Sequence, residues 1–341
     1  MESSFNNKSI LLTGGTGSFG KAFTKHILKN FSPKRFVIFS RDELKQFEMQ
    51  QIYSQQKHPC LQYLLGDVRD RDRMMRVLEG IDVVVHAAAL KQVPAAEVNP
   101  TEAIRTNIMG AMNVIDAAID CRVKKVIALS TDKACNPINL YGATKLCSDK
   151  LFTAANDYSG SHETRFAVVR YGNVVGSRGS VIPFFKAMKA KGEIPITDDQ
   201  MTRFFITLQQ GVQFVLNSLD RMKGGEIFIP KIPSMTILDV AKAIAPGVPV
   251  KIIGIRPGEK LHEIMISPDD SRNTVELEDC YVIKPQKNNM TKSSGDADGG
   301  KGVADGFHYS SNNNTKWLKP DDLLKLLNTT EGEEEWPKQE L

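Results

Sequence analysis

The stretch of sequence that decides the fold is Thr13-Gly14-Gly15-Thr16-Gly17-Ser18-Phe19-Gly20. An apolar, strand-like run precedes it and a helix-like segment follows it. Glycines permit a tight turn and let the backbone approach a pyrophosphate, whose charge then faces a helix N-terminus. A plain turn between a strand and a helix is the alternative. In a repeating strand–helix series, the stretch predicts dinucleotide binding by Gly14, Thr16, Gly17, Ser18, Phe19 and Gly20.

Strand-like and helix-like segments do alternate from residue 9 to residue 171. The strand candidates are short, nearly continuous apolar runs, which are typical of a parallel sheet covered on both faces. They are residues 9–13, 35–39, 62–65, 82–86, 125–129 and 165–171. Between them lie helical patterns, for example one helix over residues 101–118. The sequence therefore predicts an α/β protein with a Rossmann doubly wound parallel sheet and its ligands at the carboxyl ends of the strands.

The regularity loosens after residue 172. Shorter strands are predicted at residues 226–230, 248–253 and 279–283, and helices at residues 181–191, 208–221, 237–245 and around 323–327. We expect a dinucleotide-binding Rossmann domain over residues 1–172, with some later segments returning to it. A smaller mixed α/β substrate-binding lobe is expected over residues 173–330. Residues 285–306 are predicted to form a loop, and residues 328–341 a polar tail.

Composition excludes several classes of protein. The chain has 341 residues, of which 44 are Lys or Arg and 40 are Asp or Glu, with a formal net charge of +4 and 41% hydrophobic residues. This is too apolar for a disordered protein, and too nearly neutral for binding nucleic acid or a membrane surface. Runs of 18 apolar residues and a signal-peptide pattern are missing from the sequence. The five cysteines form no C-x-x-C pair and no metal-ligand spacing, so we expect no metal and a cytoplasmic location.

The end of the second strand predicts which dinucleotide binds. An NAD site usually has an acidic residue there for the ribose 2′-hydroxyl. Here Ser40 occupies that position, Arg41 follows it, and Lys45 lies one helical turn beyond Asp42. A hydroxyl with two cations suits a 2′-phosphate and predicts NADP. In the alternative, Asp42 is only a helix N-cap and the cations are solvated. The ends of the third and fourth strands add Asp67, Val68, Ala87 and Lys91.

A catalytic group is predicted after the fifth strand. Tyr141 and Lys145 are four residues apart and share one helix face, where the ammonium is expected to lower the pKa of the phenol. Thr131, at the strand end, is placed to share a substrate hydroxyl with Tyr141. Y-x-x-x-K alone is a common chance match, but its position after the glycine stretch and a strand end makes it informative.

These motifs, T-G-G-x-G-x-x-G and Y-x-x-x-K, resemble those of the extended short-chain dehydrogenases/reductases. More narrowly, the chain resembles the UDP-N-acetylglucosamine 4,6-dehydratases, in particular the soluble C5-inverting type of pseudaminic acid biosynthesis and flagellin glycosylation. Membrane-anchored relatives have N-terminal spans and usually Met at the position of Tyr141, so the soluble branch is favoured. The resemblance rests on Ser40-Arg41-Asp42-Glu43-Leu44-Lys45, Ala87-Ala88-Ala89-Leu90-Lys91, Ser130-Thr131-Asp132-Lys133-Ala134, Arg170-Tyr171-Gly172-Asn173-Val174-Val175-Gly176-Ser177-Arg178-Gly179-Ser180 and Arg256-Pro257-Gly258-Glu259-Lys260.

The resemblance implies a dehydration, which needs an acid and a base besides Tyr141. Lys133 is assigned as the base at carbon 5 of the sugar, and Asp132 as the acid at the departing 6-hydroxyl. Lys133 must be neutral for this, so its pKa is expected to fall from about 10.4 to near 7. A purely structural Asp132–Lys133 salt bridge is the alternative, and the division of acid and base between the two residues stays open.

The resemblance also implies where substrate and cofactor bind. UDP-N-acetylglucosamine is the expected substrate, NADP the cofactor, and a homo-oligomer, a dimer or hexamer, the expected assembly. Asn107 and Val174 are added as cofactor contacts. The expected substrate residues are Lys91, Asn173, Arg178, Val181, Thr197, Arg203, Arg256 and Glu259. The alternatives are a retaining dehydratase, a UDP-sugar 4-epimerase and a non-catalytic NADP-sensing protein.

Overall fold

The strands form one large sheet and several small ones. The computed structural model describes residues 5–176, 181–285 and 299–331, with the side chains of 328–331 left out. In chain order, the strands are β1 (Ser9–Thr13), β2 (Arg35–Ser40), β3 (Leu61–Leu65), β4 (Val83–His86), β5 (Lys125–Thr131), β6 (Arg165–Tyr171), β7 (Asn173–Val174), β8 (Ile194–Ile196), β9 (Thr202–Ile206), β10 (Ile227–Pro230), β11 (Ser234–Thr236), β12 (Val250–Ile252), β13 (Ile264–Ile266), β14 (Thr274–Glu276), β15 (Cys280–Ile283), β16 (Lys301–Gly302) and β17 (Tyr309–Ser310).

Helices cover the large sheet and build a second core beside it. They are α1 (Ser18–Asn30), α2 (Glu43–Ile52), α3 (Arg71–Leu78), α4 (Val93–Val98), α5 (Pro100–Ile104), α6 (Gly110–Asp120), α7 (Leu140–Tyr158), α8 (Val181–Lys189), α9 (Leu208–Arg221), α10 (Ile237–Ile244) and α11 (Pro320–Glu331). In the described part of the chain, none of them is both long and apolar enough to span a bilayer.

The central sheet confirms the predicted fold class. Within the described residues it has ten strands in the order β16-β14-β15-β10-β6-β5-β4-β1-β2-β3. The strands from β10 to β3 pair in parallel, whereas β15, β14 and β16 add an antiparallel edge. Each of β1, β2, β4 and β5 is buried along almost its whole length, because helices cover both faces of the sheet.

Buried side chains divide into two main cores. The larger contains the strands of the central sheet together with apolar residues of α1, α6 and α9. The second core is formed by β8, by α8, α10 and α11, and by buried residues such as Phe205 and Met235. It lies after residue 172 in sequence, which fits a smaller lobe; the exact domain bounds stay a prediction.

The structure adds detail to three local predictions, and residues 101–118 are helical as expected. The helix expected over residues 101–118 is interrupted by a π-helical turn, Arg105–Met109, because Asn107 turns its side chain onto the backbone of Leu90. The loop expected over 285–306 contains β16, which pairs with β14 as an edge strand; residues 286–298 lie outside the described residues. The tail expected from residue 328 begins later, because α11 continues to residue 331 after burying Leu327.

The turn between β1 and α1 generates a prediction about stability. A Cβ at Gly20 would lie 2.2 Å from the carbonyl oxygen of Gly15, so Gly20→Ala must displace the backbone. We expect this variant to lower the free energy of unfolding by about 1–3 kcal/mol, measured by urea denaturation. Gly211→Ala in α9 is the matched control, because no atom lies within 4 Å of its added Cβ. The control should be neutral or stabilising by about 0.5–1 kcal/mol, and equal losses in both variants would contradict the prediction.

Candidate active site

A cleft of about 1330 Å³ runs along the carboxyl ends of the parallel strands and continues to the second core. This is the edge of the sheet where a doubly wound fold binds its ligands. The first part of the cleft lies over the glycine stretch and the ends of β2 and β5. The remainder is bounded by residues of α8 and of the segment 195–203, and by the segment 256–259. One continuous space therefore joins the two regions expected from the sequence.

The structure brings most of the predicted site residues into this cleft. From the cofactor set, the lining residues are Gly14, Thr16, Gly17, Ser18, Phe19, Gly20, Ser40, Arg41, Asp42, Lys45, Asp67, Val68, Ala87, Lys91 and Val174. From the substrate and catalytic sets, they are Asn173, Val181, Thr197, Arg203, Arg256, Glu259, Thr131, Lys133, Tyr141 and Lys145. Arg178 lies outside the described residues. Asn107 and Asp132 are buried and do not line the cleft.

The glycine stretch forms a cradle that fits a pyrophosphate. Gly14 has a φ of 66°, and a Cβ there would lie 2.8 Å from the backbone nitrogen of Ala88. Helix α1 begins after Gly17 with no side-chain cap and no acidic residue in its first turn. Its first N–H groups are therefore left for an anion, and the partial positive charge of the helix end favours one.

At the end of β2 the structure shows both the helix N-cap and the cations that the sequence predicts there. Asp42 is the N-cap of α2, accepting from the N–H of Lys45 at 3.0 Å, and its carboxylate also pairs with the Lys45 ammonium. Arg41 is half-exposed and lies 3.7 Å from Asp67. Sequence reasoning missed Arg69, which binds Asp67 at 2.7 Å. Of these cations, Arg41 is the one with an exposed guanidinium in the cleft lining.

Tyr141 and Thr131 both line the cleft. Asn139 caps α7 by accepting from the N–H of Gly142 at 2.7 Å, which places Tyr141 in the first turn. Burial raises the pKa of Tyr141 to about 12, opposed by the charge of Lys133 and a hydrogen bond with Thr131. The expectation that Lys145 lowers this pKa is wrong, because the lowering cation is Lys133 and burial outweighs it. Burial also lowers the pKa of Lys145 itself, with Asp149 opposing.

Lys133 lies between two carboxylates. The strand β5 ends at Thr131, and a 3₁₀ turn, Asp132–Ala134, follows it; we call this the catalytic turn. The Lys133 Nζ is 3.1 Å from Asp132 Oδ1 and 3.1 Å from Glu263 Oε1. Burial alone would lower the pKa of Lys133, but the two carboxylates raise it well above its usual range. The expected fall toward 7 is therefore wrong for the protein without substrate.

Asp132 is completely buried beneath the cleft. Its Oδ1 accepts hydrogen bonds from the Thr131 hydroxyl at 3.0 Å and from Lys133 at 3.1 Å. Its Oδ2 has no hydrogen-bond partner among the described residues. Burial raises the pKa of Asp132, with the Lys133 charge opposing. A proton on this carboxyl therefore costs less than on an exposed aspartate, and Thr131 and Lys133 connect it to the cleft.

The predicted phosphate ligands differ in what they contact. The guanidinium of Arg203 is buried and donates to the carbonyl oxygens of Thr202, Lys260 and Leu261 at 2.7–3.0 Å. These hydrogen bonds hold residues 260–261 beside β9, and they leave fewer donors of the guanidinium for a phosphate. Arg256, in contrast, is half-exposed in the cleft, with its nearest carboxylate, Glu259, at 3.8 Å.

Buried polar groups behind the cleft hold the catalytic side chains in place. Asn107 bonds both backbone groups of Leu90, at 2.8 and 2.9 Å, and the hydroxyl of Thr144 at 3.0 Å, so it positions α7 instead of touching the cofactor. Asp149 accepts from Ser130 at 2.7 Å and from Arg170 at 3.2 Å. Sequence reasoning missed Glu263 and Asp149, because their partners are remote and no local motif marks them.

The fold and the site together define an extended short-chain dehydrogenase/reductase. A Rossmann sheet, a glycine cradle after β1, and a Tyr-x-x-x-Lys helix facing a Thr at the end of β5 meet in one cleft. The chain belongs to the polysaccharide biosynthesis protein family, whose sequence profile matches residues 10–285. These findings confirm the resemblance stated from the sequence.

Relatives and solved structures agree with this assignment. The chain is 58% identical over 335 residues to a UDP-N-acetylglucosamine 4,6-dehydratase (inverting) of Campylobacter jejuni, covering 96% of this chain and 99% of the relative. It is 41% identical over 333 residues to a UDP-glucose 4-epimerase of Rickettsia akari, covering 95% and 96%. The crystal structure of Pen from Bacillus thuringiensis superposes with a TM-score of 0.84 and 38% identity, covering 95% and 99%.

His86, at the end of β4, generates a prediction about pH and stability. It is buried, and its Nδ1 lies 2.8 Å from the Thr13 hydroxyl. Burial, with the charge of Lys145, lowers the pKa of His86 to about 3. Because the unfolded chain binds this proton near pH 6.5, the stability contributed by neutral His86 is complete above pH 6.5 and is lost as the pH falls toward 3. His86→Asn should remove up to about 1.4 kcal/mol per pH unit of this dependence.

The measurement is the free energy of unfolding in urea between pH 6.5 and 4.5. Replacing an exposed histidine, His308→Asn, is the control and should leave the slope of the wild-type protein unchanged. Parallel slopes for His86→Asn and the wild-type protein would show that His86 is not responsible.

Proposed function

We propose that this protein catalyses the NADP-dependent 4,6-dehydration of UDP-N-acetylglucosamine with inversion at C5. The product would be UDP-2-acetamido-2,6-dideoxy-β-L-arabino-hex-4-ulose. The observation that carries the proposal is that one cleft holds two groups: Tyr141 and Thr131, and beside them the charged turn of Asp132 and Lys133. An oxidation or epimerisation at C4 needs only the first group, whereas water elimination needs a second acid and base. The 58% identical relative bears the name of this reaction.

The cofactor proposed is NADP. A bound nicotinamide would supply a reversible hydride acceptor, which both the dehydration and the competing epimerisation require. The dTDP-glucose 4,6-dehydratase DesIV from Streptomyces venezuelae, which shares this fold at a TM-score of 0.65 and 21% identity, was crystallised with NAD. In this chain, Ser40 and the exposed Arg41 stand where a 2′-phosphate would lie, which favours the phosphorylated form.

Tyr141 is proposed to remove the proton of the 4-hydroxyl. Tyr141 and Thr131 both line the cleft, so that one substrate oxygen would be able to contact both hydroxyl groups. The raised pKa of Tyr141 in the protein alone means that this proton transfer needs nearby positive charge. Lys133 supplies one such charge, and Lys145, on the same face of α7, lies in the same cleft.

Asp132 and Lys133 are proposed to complete the elimination. A ketone at C4 acidifies the hydrogen at C5. Lys133 would first pass its ammonium proton to Asp132 Oδ1, 3.1 Å away, and its neutral amine would then take the C5 proton. Asp132, whose pKa is raised by burial, supplies a proton to the departing 6-hydroxyl through Thr131 or Lys133, both of which contact its Oδ1. With a hydride returned to C6 from the bound nicotinamide, a proton added to the opposite face of C5 would invert that centre.

The substrate residues are proposed from their places in the cleft. Arg256 is proposed to bind the diphosphate because it is a half-exposed cation in the cleft lining, and Glu259 accompanies it. Arg203 is proposed to order this region instead of binding phosphate directly, since it is occupied by backbone carbonyls. The proposed sugar contacts are Lys91, Asn173, Val181 and Thr197.

A UDP-sugar 4-epimerase is the second candidate, because of the 41% identical relative with that name. It would use Tyr141 and Lys145 but give the buried Asp132–Lys133 pair no chemical task. Purified protein incubated with UDP-N-acetylglucosamine and NADP separates the candidates by product mass. Loss of one water supports the dehydratase, an unchanged mass with a new epimer supports the epimerase, and no reaction with any UDP-sugar contradicts both. The configuration at C5 of the product distinguishes inversion from retention.

Lys133→Ala should abolish the loss of water while NADP still binds. The reason is that the variant removes the proposed C5 base without touching the glycine cradle. Lys231→Ala is the matched control, since Lys231 is similarly shielded, forms an ion pair with Glu276 at 2.8 Å, and lies outside the cleft lining. The measurements are the product mass and the change in protein fluorescence during titration with NADP. A Lys133→Ala variant with full activity would refute the assigned role.

Arg41→Ser should weaken NADP binding about tenfold or more and change NAD binding less. A hydrogen bond to a charged group contributes about 1.5–3 kcal/mol, which corresponds to this loss of affinity. Calorimetric titration of both dinucleotides is the measurement. Arg71→Ser serves as the control, because Arg71 is exposed and outside the cleft lining. Equal losses for NADP and NAD would argue against a 2′-phosphate site.

The biological setting is proposed from the same relatives. We infer a cytoplasmic homo-oligomer, dimer or hexamer, that opens pseudaminic acid synthesis for flagellin glycosylation. The support is the relative's inverting dehydratase name and the resemblance of the sequence motifs. Mass measurement of the intact assembly in solution tests the oligomer directly.

A further inference from the structure

Glu263 is a buried carboxylate of the cleft to which the proposed steps give no role. Its side chain is only 3% exposed and borders the cleft. Its main chain is fixed by Ser311, whose hydroxyl accepts from the N–H of Glu263 at 3.0 Å and whose own N–H donates to the Glu263 carbonyl at 2.8 Å. The main chain of Glu263 is therefore held at the border of the cleft.

The carboxylate is directed at Lys133. Its Oε1 lies 3.1 Å from the Lys133 Nζ and 3.8 Å from the Nε of Arg203. The remaining nitrogens of Arg203 donate to backbone carbonyls, so Lys133 is the closer charged partner. The second oxygen, Oε2, is buried without a hydrogen-bond partner among the described residues. Such a group is costly to bury and is retained only where it is compensated by charge.

From the side of Lys133, the two carboxylates are not equivalent. Asp132 is its neighbour in the catalytic turn and stays close in any arrangement of the chain. Glu263 comes from a remote segment and adds a second negative charge at the same distance. The charged and titratable groups that face Lys133 from the elements around it are Asp132, Glu263, Arg203, Lys260 and Tyr141.

We infer that Glu263 is a positioning residue that holds the Lys133 ammonium beside Asp132 and keeps it charged in the protein without substrate. The inference rests on the proposed role of Lys133 and adds to it, because control of the Lys133 proton passes to a segment outside the catalytic turn. Lys133 accepts a proton from C5 only after losing its own. Glu263 thereby sets the pH range in which the proposed base is available.

The charges around Glu263 agree with this assignment. Burial opposes ionisation of the carboxyl, but Lys133, Arg203 and Lys260 together lower the pKa of Glu263. The carboxylate is therefore charged at neutral pH and attracts the ammonium. Lys260 also donates to the carbonyl of Cys135 at 2.6 Å, which ties this segment to the residue after the catalytic turn.

The test is the acetylation rate of Lys133, because acetic anhydride reacts with the neutral amine and not with the ammonium. Full-length protein at pH 9 is labelled with a trace of acetic anhydride in the presence of a free lysine derivative as internal standard. The peptide containing Lys133 is then quantified by mass spectrometry. Wild-type protein is compared with Glu263→Gln, Glu263→Asp and Glu276→Gln. The last is a matched control, since Glu276 is paired with Lys231 away from the cleft.

Glu263→Gln keeps the shape of the side chain and removes its charge, so Lys133 should be acetylated at least tenfold faster than in the wild-type protein. This corresponds to a fall of one unit in its pKa. Glu263→Asp keeps the charge and should label more slowly than Glu263→Gln, and Glu276→Gln should label at the wild-type rate. An unchanged rate in Glu263→Gln, or equal rates in Glu263→Gln and Glu263→Asp, would overturn the inference.

The acetylation test requires neither enzymatic turnover nor a folded Glu263→Gln variant. If Glu263→Gln does not fold, the wild-type protein still decides, because Lys133 that reacts as fast as the lysine standard at pH 9 would overturn the inference. Labelling needs no substrate, so a protein that fails to dehydrate UDP-N-acetylglucosamine contradicts the proposed function and leaves this measurement valid. Where water loss is observed, Glu263→Gln should also shift the acid side of its pH profile to lower pH, which a purely structural role would not do.

Discussion

The active site depends on the close approach of α7 to the catalytic turn. At Gly142 the helix comes so near that a Cβ would lie 2.2 Å from the carbonyl oxygen of Lys133. This contact places Tyr141 close enough to Lys133 for the lysine charge to lower the pKa of the phenol. Asn139, which caps the helix, also donates to the carbonyl of Gly258 at 2.8 Å. The helix, the turn and the segment expected to bind the nucleotide are therefore held together by this close approach and by the Asn139 side chain.

Around this contact the protein buries more charge than a core would normally accept. Asp149 and Arg170 are almost wholly inaccessible and pair at 3.2 Å, and Lys133 has two carboxylates as neighbours. Buried ion pairs gain little net stability, because desolvation offsets their attraction. That these buried charges cluster behind one cleft is consistent with a catalytic role. A group that gives or takes a proton needs a pKa set by its surroundings.

Much of the fold was predictable from local pattern. The runs that form β1 and β6 were located without error, and the other strands of the parallel sheet to within two residues, because a strand buried on both faces must be apolar along its length. The glycine turn between β1 and α1 was equally predictable, because a turn that lacks space for a Cβ requires glycine. The π-helical turn and β16 were missed, because each depends on a remote partner, Leu90 for the first and β14 for the second.

For the site, sequence by itself determined which chemical groups are present and at which strand ends they stand. It did so because the carboxyl ends of parallel strands meet at one edge, whatever the details of packing. Only the tertiary structure decided the state of those groups: that Lys133 is charged, that Arg203 is occupied by carbonyl oxygens, and that Asp132 lies beneath the cleft. The physical reason is that a side chain's charge depends on burial and on neighbours within a few ångströms. For Lys133 one of the two carboxylate neighbours is Glu263, which chain folding, not sequence spacing, brings within 3.1 Å.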